Sequence, residues 1–146
     1  MNKEKPTLDV SVIVPTKNRP GQLKNCLESI VSSAYPYKEL IVVDSSDSPF
    51  REENEEMVKG VGGKYIHESR HRPAVARNTG IRAASGDIVV IADDDFIVDK
   101  DWISNLVKNY TDPEVACCNG RMAPYRDDET SRLFETAMSF DRGTKR

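Results

Sequence analysis

Several things are scarce in this 146-residue sequence, and each scarcity closes off a class of protein. Only 3 cysteines are present, Cys26, Cys117 and Cys118, an odd number without metal-ligand spacing. A disulfide framework is therefore excluded, and free thiols in a reducing cytoplasm are expected. The 2 histidines, His67 and His71, lie in no metal-binding or metalloprotease pattern, and a general-base role for either is disfavoured. No charge of one sign dominates: 21 Lys+Arg stand against 24 Asp+Glu, a net charge of −3, which argues against a general nucleic-acid binder. The longest aliphatic run is residues 88–92, far short of the ~18 residues needed to span a bilayer. Residues 1–9 have no apolar stretch of the secretory-signal kind. Glycine-rich phosphate loops of the Walker type are missing too, which argues against an ordinary ATPase. No internal repeat, low-complexity tract or Gly/Ser/Pro linker divides the chain.

What is present is an alternation of short apolar runs and amphipathic stretches. Strands are expected at residues 10–14, stopped by Pro15, then at 40–43, 64–67, 87–92 and 115–118. Helices are expected at residues 22–34, 50–59, 73–84, 99–110 and 129–138. Leu23, Leu27, Ile30, Val31 and Ala34 recur at helical spacing in the first of these. Trp102 reads as a core anchor of its helix, and Cys117 and Cys118 as packing residues on opposite faces of the fifth strand. Strands apolar on both faces and alternating with helices specify an α/β fold, a mostly parallel sheet covered by helices on both faces. Residues 1–8 are expected to be a flexible segment, and 9–146 a single domain.

In such sheets ligands bind beyond the carboxyl ends of the strands, where strand order reverses. Pro15, Thr16, Lys17, Asn18 and Arg19 follow the first strand. Asp44, Ser45, Ser46 and Asp47 follow the second, and Asp93, Asp94 and Asp95 the fourth. These ends converge on one crevice if the first strand lies between the second and fourth. Two carboxylates ~4 Å apart repel by about 4 kcal/mol at an effective dielectric near 20, so the acidic run calls for a cation or a basic partner. Hard oxygen ligands suit Mg²⁺ or Mn²⁺, commonly held by one or two carboxylates plus substrate phosphates. The competing reading is a solvated acidic loop. A basic bias follows the third strand, at Lys64, Arg70, Arg72, Arg77 and Arg82, opposed by Glu68. Arginine forks match phosphate oxygens, but Arg70, Arg72 and Arg82 taken singly are better read as surface residues pairing with the acidic helix at Glu52–Glu56.

Three stretches then carry a resemblance. Val10-Ser-Val-Ile-Val-Pro-Thr-Lys-Asn-Arg19, Leu40-Ile-Val-Val-Asp-Ser-Ser-Asp47 and Ala76-Arg-Asn-Thr-Gly-Ile-Arg-Ala-Ala-Ser-Gly-Asp-Ile-Val-Val-Ile-Ala-Asp-Asp-Asp95 resemble, in order, the signature segments of the family 2 inverting glycosyltransferases. A lone DxD is weak; the ordered set is specific.

The resemblance implies the nucleotide-binding half of a Rossmann-like GT-A fold, a nucleotide-sugar donor (UDP favoured, dTDP and GDP behind it) and Mg²⁺ or Mn²⁺. By position, Thr16 and Asp44 would contact the base, Asp44 accepting from a ring N–H. Asn18 and Arg19 would line the base and ribose side, with Pro15 and Ser46 also among the nucleotide-sugar-binding residues. Arg77 and Asn78 would face the donor, Arg77 near the diphosphate. Asp93 and Asp94 would lie near ribose and metal, with Asp93 and Asp95 as metal ligands. The family's general base comes from beyond the DxD. Asp127, Asp128, Glu129 and Glu135 are the acids there, and none stands in a context like the base motif. The chain is accordingly expected to be the donor-binding part of a longer enzyme, with an uncovered sheet edge open to self-association. The acceptor would be a saccharide, lipid or protein, and the setting the cytoplasm or its membrane face. The alternatives are a non-catalytic nucleotide-sugar-binding module and a metal-dependent nucleotidyltransferase.

Overall fold

The computed structural model describes residues 8–123. It contains β1 (Val10–Thr16), α1 (Pro20–Val31), β2 (Glu39–Asp44), α2 (Phe50–Gly60), β3 (Lys64–His67), α3 (Pro73–Ala83), β4 (Ile88–Ile91) and α4 (Trp102–Val107), closed by a 3₁₀ turn at Lys108–Thr111. The four strands form one parallel sheet in the order β3-β2-β1-β4. β1 therefore lies between β2 and β4, the arrangement that brings the three polar strand ends together.

Alternation along β1 divides the core. Val10, Val12 and Val14 join Leu40, Val42, Ile88 and Val90 on one face, under Leu23, Leu27 and Ile30 of α1, Val58 of α2, and Ile103 and Leu106 of α4. Ile13, Ile41 and Val43 face the other way, against Ala76 of α3. The second face is thin, and α3 comes close because Gly80 has no side chain. A Cβ there would lie 2.5 Å from Ile13 Cγ2 and 3.3 Å from Val43 Cγ2.

Pro15 does not stop β1. The strand continues, pairing Pro15 with Val43 and Thr16 with Asp44. The ladder to β4 ends at Ile13, whose carbonyl accepts from Ala92 N. Pro15 follows Ile13 by two and turns its nitrogen to that same, already released side, so no ladder bond is lost. The first helix is also shorter than expected. After Val31 the chain leaves it, and Ala34 N donates to the Lys100 carbonyl at 2.9 Å. Residues 115–118 form no strand. Val115 N turns back to Asp112 O at 3.1 Å, and Cys118 packs against the core beside Leu106 instead of extending the sheet. Leu8, expected in a flexible segment, packs on the core, and its carbonyl accepts from Tyr35 Oη at 2.7 Å. The helix expected at 129–138 and the acids at 127, 128, 129 and 135 lie outside the described residues. All three cysteines are free. No helix among the described residues is long and apolar enough to cross a membrane.

Candidate functional site

A cavity of about 410 Å³ opens at the carboxyl ends of β1, β2 and β4, where strand order reverses. Pro15, Thr16, Lys17 and Arg19 line it from the end of β1, and Ser45 from β2. His71, Arg72, Pro73, Ala76 and Arg77 contribute from the start of α3, and Asp93, Asp94 and Asp95 from the end of β4. Pro73 occupies the first turn of α3, where its missing N–H costs nothing. From there Pro73, Ala76 and Arg77 share one helix face at i, i+3, i+4 spacing.

The three aspartates are not equivalent. Asp94 is buried; its Oδ2 accepts from Thr16 Oγ1 at 2.7 Å and its Oδ1 from Arg19 Nη1 at 3.4 Å. Asp93 accepts from Arg77 Nη2 at 2.5 Å. Asp95 is half-exposed, its closest cation being Arg19 Nη1 at 3.8 Å. Behind them lies Cys26, whose thiol is pushed up to about 12 by burial first and then by the negative potential of Asp94, Asp95 and Asp93. It is an inert packing group at neutral pH.

The donor set fits a hard divalent cation that takes one or two protein carboxylates and completes its shell with water and phosphate. Asp95 is the carboxylate with fewest commitments inside the protein. An all-protein cage does not exist here: no three His, Cys, Asp or Glu side chains among the described residues are arranged to hold a metal.

Four residues expected in the site stand apart from the cavity wall. Asp44 is fully buried, its Oδ1 accepting from Ser46 N at 2.8 Å and its Oδ2 from Asn54 Nδ2 at 3.1 Å and Tyr65 Oη at 3.0 Å. Burial and then the neighbouring Asp44 charge raise the Tyr65 phenol well above its usual range, so it stays a donor. Ser46 Oγ accepts from Asn18 N at 2.7 Å and Asn54 Nδ2 at 3.1 Å. Asn18, at φ 54°, staples the β1 and β2 loops: its Nδ2 donates to Asp47 and its Oδ1 accepts from Asp47 N. Asparagine tolerates this left-handed conformation better than other side-chain-bearing residues. Asn78 is exposed, about 100° further round α3 than Arg77.

Other wall residues carried weaker sequence signals. His71 and Arg72 are placed by Glu68, which is buried and accepts from Arg70 N, Nε and Nη2 and from Thr79 Oγ1 at 2.8–3.1 Å. Arg70 thus pairs with Glu68 and Arg77 with Asp93, not with the acids of α2. An acid two residues before an arginine, with a threonine nearly two helical turns into the next element, is the available signal.

A parallel sheet with a charged cavity at its switch point defines a Rossmann-like α/β domain with a candidate ligand site. The comparisons make this specific. The model of glycosyl transferase family 2 matches residues 11–145, and the chain belongs to that family. It is 34% identical over 132 residues to an N-acetylglucosaminyltransferase of Bradyrhizobium elkanii, covering 83% of this chain and 70% of that protein. It is 29% identical over 129 residues to the glycosyltransferase GlyA of Streptococcus pneumoniae, covering 86% of this chain and 18% of that protein. Among solved structures, a mannosyltransferase of Pyrobaculum calidifontis in complex with GDP-Man and Mn²⁺ superposes with a TM-score of 0.68 at 32% identity. That match covers 81% of this chain and 40% of the mannosyltransferase.

Proposed function

We propose that the cavity holds a nucleoside diphosphate sugar together with Mg²⁺ or Mn²⁺, and that the whole protein transfers the sugar to a saccharide, lipid or protein acceptor. The observation that carries this reading is the graded acidic end of β4. Asp94 is bonded to Thr16 and Arg19 and Asp93 to Arg77, while Asp95, 48% exposed in the cavity wall, has only the looser 3.8 Å approach of Arg19. Asp95, with Asp93, would hold the cation. A bound cation supplies positive charge to the departing nucleoside diphosphate. The protein's own part is orientation. Arg77 holds Asp93, and Thr16 and Arg19 hold Asp94. Lys17 and Arg72 line the cavity and form no ion pair with the described residues, so both are open to phosphate oxygens.

A UDP-sugar is the favoured donor by family resemblance. The mannosyltransferase that contains GDP-Man supports a guanine nucleotide as second choice and a divalent metal for either. The chain spans 40% of that enzyme, so donor binding is proposed for these residues and sugar transfer for the whole protein. Free thiols at Cys26, Cys117 and Cys118 support a cytoplasmic setting. The test is calorimetric titration of UDP and GDP with and without Mn²⁺. Metal-dependent binding that drops about 100-fold or more in Asp95→Ala, with the thermal midpoint unchanged, is expected. A folded chain that binds no nucleotide, or binds equally well without metal, contradicts the reading.

A further inference from the structure

We infer that Cys117 and Cys118 form a reversible thiol-modification site. Cys117 exchanges with a small disulfide of the glutathione class, and Cys118 resolves the adduct by closing a ring with its neighbour. The inference does not depend on the nucleotide site; it rests on the segment that follows α4. Residues 112–123 lie in no helix or strand, so no regular hydrogen-bonded backbone has to break for them to turn.

The thiols differ in access. Cys26 is buried and its thiol is pushed up to about 12, which takes it out of exchange at neutral pH. Cys117 is exposed. Cys118 is partly buried against the core, its Sγ donating to the Leu106 carbonyl at 3.7 Å. An open thiol next in sequence to a sheltered one is the arrangement of an attacking and a resolving cysteine. The two sulfurs also share a neighbour. Burial first, then a hydrogen bond with Cys118 and the negative potential of Cys118 and Cys117, raise the Tyr110 phenol. The phenol therefore stays protonated, a hydroxyl that can donate to a Cys118 thiolate.

The Cys117 thiolate attacks one sulfur of the small disulfide. That S–S bond breaks, a mixed disulfide forms, and the departing thiolate takes up the proton that Cys117 gave to water. Cys118, released from the Leu106 carbonyl, then attacks the Cys117 sulfur and expels the second thiol. The small disulfide is reduced to two thiols while the protein pair is oxidised. Adjacent Cα atoms are about 3.8 Å apart across a trans peptide, below the ~4.4 Å usual for a disulfide, so the closed ring is strained and easily reduced. The site is thus reversible and not a structural cross-link. Closure pulls on the chain just beyond the pair, which rests on the single tryptophan: a Cβ on Gly120 would lie 3.2 Å from Trp102 Nε1.

The experiment treats the 146-residue chain with an equimolar amount of glutathione disulfide and follows intact mass and Trp102 emission. Wild type is compared with Cys26→Ser, Cys117→Ser and Cys118→Ser, each shown to be folded by thermal melting. Wild type and Cys26→Ser are expected to end lighter by two hydrogens, with no glutathione attached and a shift in emission that dithiothreitol reverses. Cys118→Ser stops with one glutathione held on Cys117. Cys117→Ser, left with the sheltered thiol, reacts about tenfold more slowly than Cys118→Ser. Wild type that retains glutathione on Cys117, or that links into disulfide-bonded dimers, overturns the inference. So does folded wild type that keeps both thiols while the urea-unfolded chain reacts.

Discussion

At the end of β2, Asp44 is enclosed, both its oxygens used by a backbone N–H, an amide and a phenol. At the end of β4, Asp94 is buried while Asp93 and Asp95 are 41% and 48% exposed, and the three meet arginine or a hydroxyl. Both aspartate sets follow apolar parallel strands, and in the sequence they read as the same kind of feature. What separates them is the next layer. α2 delivers Asn54 and β3 delivers Tyr65 over the end of β2, whereas Asp95 is 48% exposed, with Arg19 approaching to 3.8 Å. How far a strand-end carboxylate is already bonded within the protein therefore depends on what its neighbouring elements supply.

That comparison is sharpened first by emptying the enclosed end. Asp44→Ala leaves the Asn54 amide, the Tyr65 hydroxyl and Ser46 N without their acceptor. Urea unfolding is expected to show a loss of roughly 3–5 kcal/mol. A loss below about 1 kcal/mol would mean that the cluster contributes little. Gly80→Ala tests the thin face that carries Arg77 to the cavity. The new Cβ would meet Ile13 Cγ2 at 2.5 Å, and Ile13 is β-branched and fixed in the sheet, so α3 must shift. About 1–3 kcal/mol of destabilisation is expected, together with weaker nucleotide binding, measured by unfolding and titration.

The smallest effect is the pH response of the loop that carries His71 and Arg72. The Arg70 side chain first, then Arg70 N–H and Thr79, hold the Glu68 carboxyl at about 2, below its ordinary 4.5. A depressed carboxylate stabilises the fold above its unfolded value and loses that contribution as pH falls through the folded one. Wild type should therefore lose stability between about pH 4.5 and 2 more steeply than Glu68→Gln. Parallel pH profiles of the two unfolding midpoints would count against the assignment.

Much of the fold is legible in the sequence because the strands are continuous and apolar. The run at residues 64–67 is found as β3 with the same bounds, and the helix expected at 50–59 differs from α2 by one residue. Legibility failed where local pattern and context disagree. Residues 115–118 have a strand's composition, but a run of four apolar residues carries too little periodicity to separate a strand from a chain segment packed on α4. Pro15 reads as a breaker until the neighbouring ladder is known to end at Ile13. In the site, position was legible and orientation was not. Pro15, Thr16, Arg19, Arg77 and the three aspartates line the cavity, while Asn18, Asp44 and Ser46 are hydrogen-bonded behind its wall and Asn78 lies off it. His71 carries no pattern signal, because its place in the cavity wall goes with a contact to the Ser45 carbonyl that no spacing announces.

The most direct test of the difference between the two strand ends pairs Asp95→Asn with Asp44→Asn, measuring Mn²⁺-dependent nucleotide affinity and the unfolding midpoint on the same samples. Asp95→Asn should lose affinity and keep its midpoint. Asp44→Asn should lower the midpoint by far more than Asp95→Asn does. The opposite pattern, with Asp44→Asn keeping its midpoint and Asp95→Asn binding normally, would contradict the account.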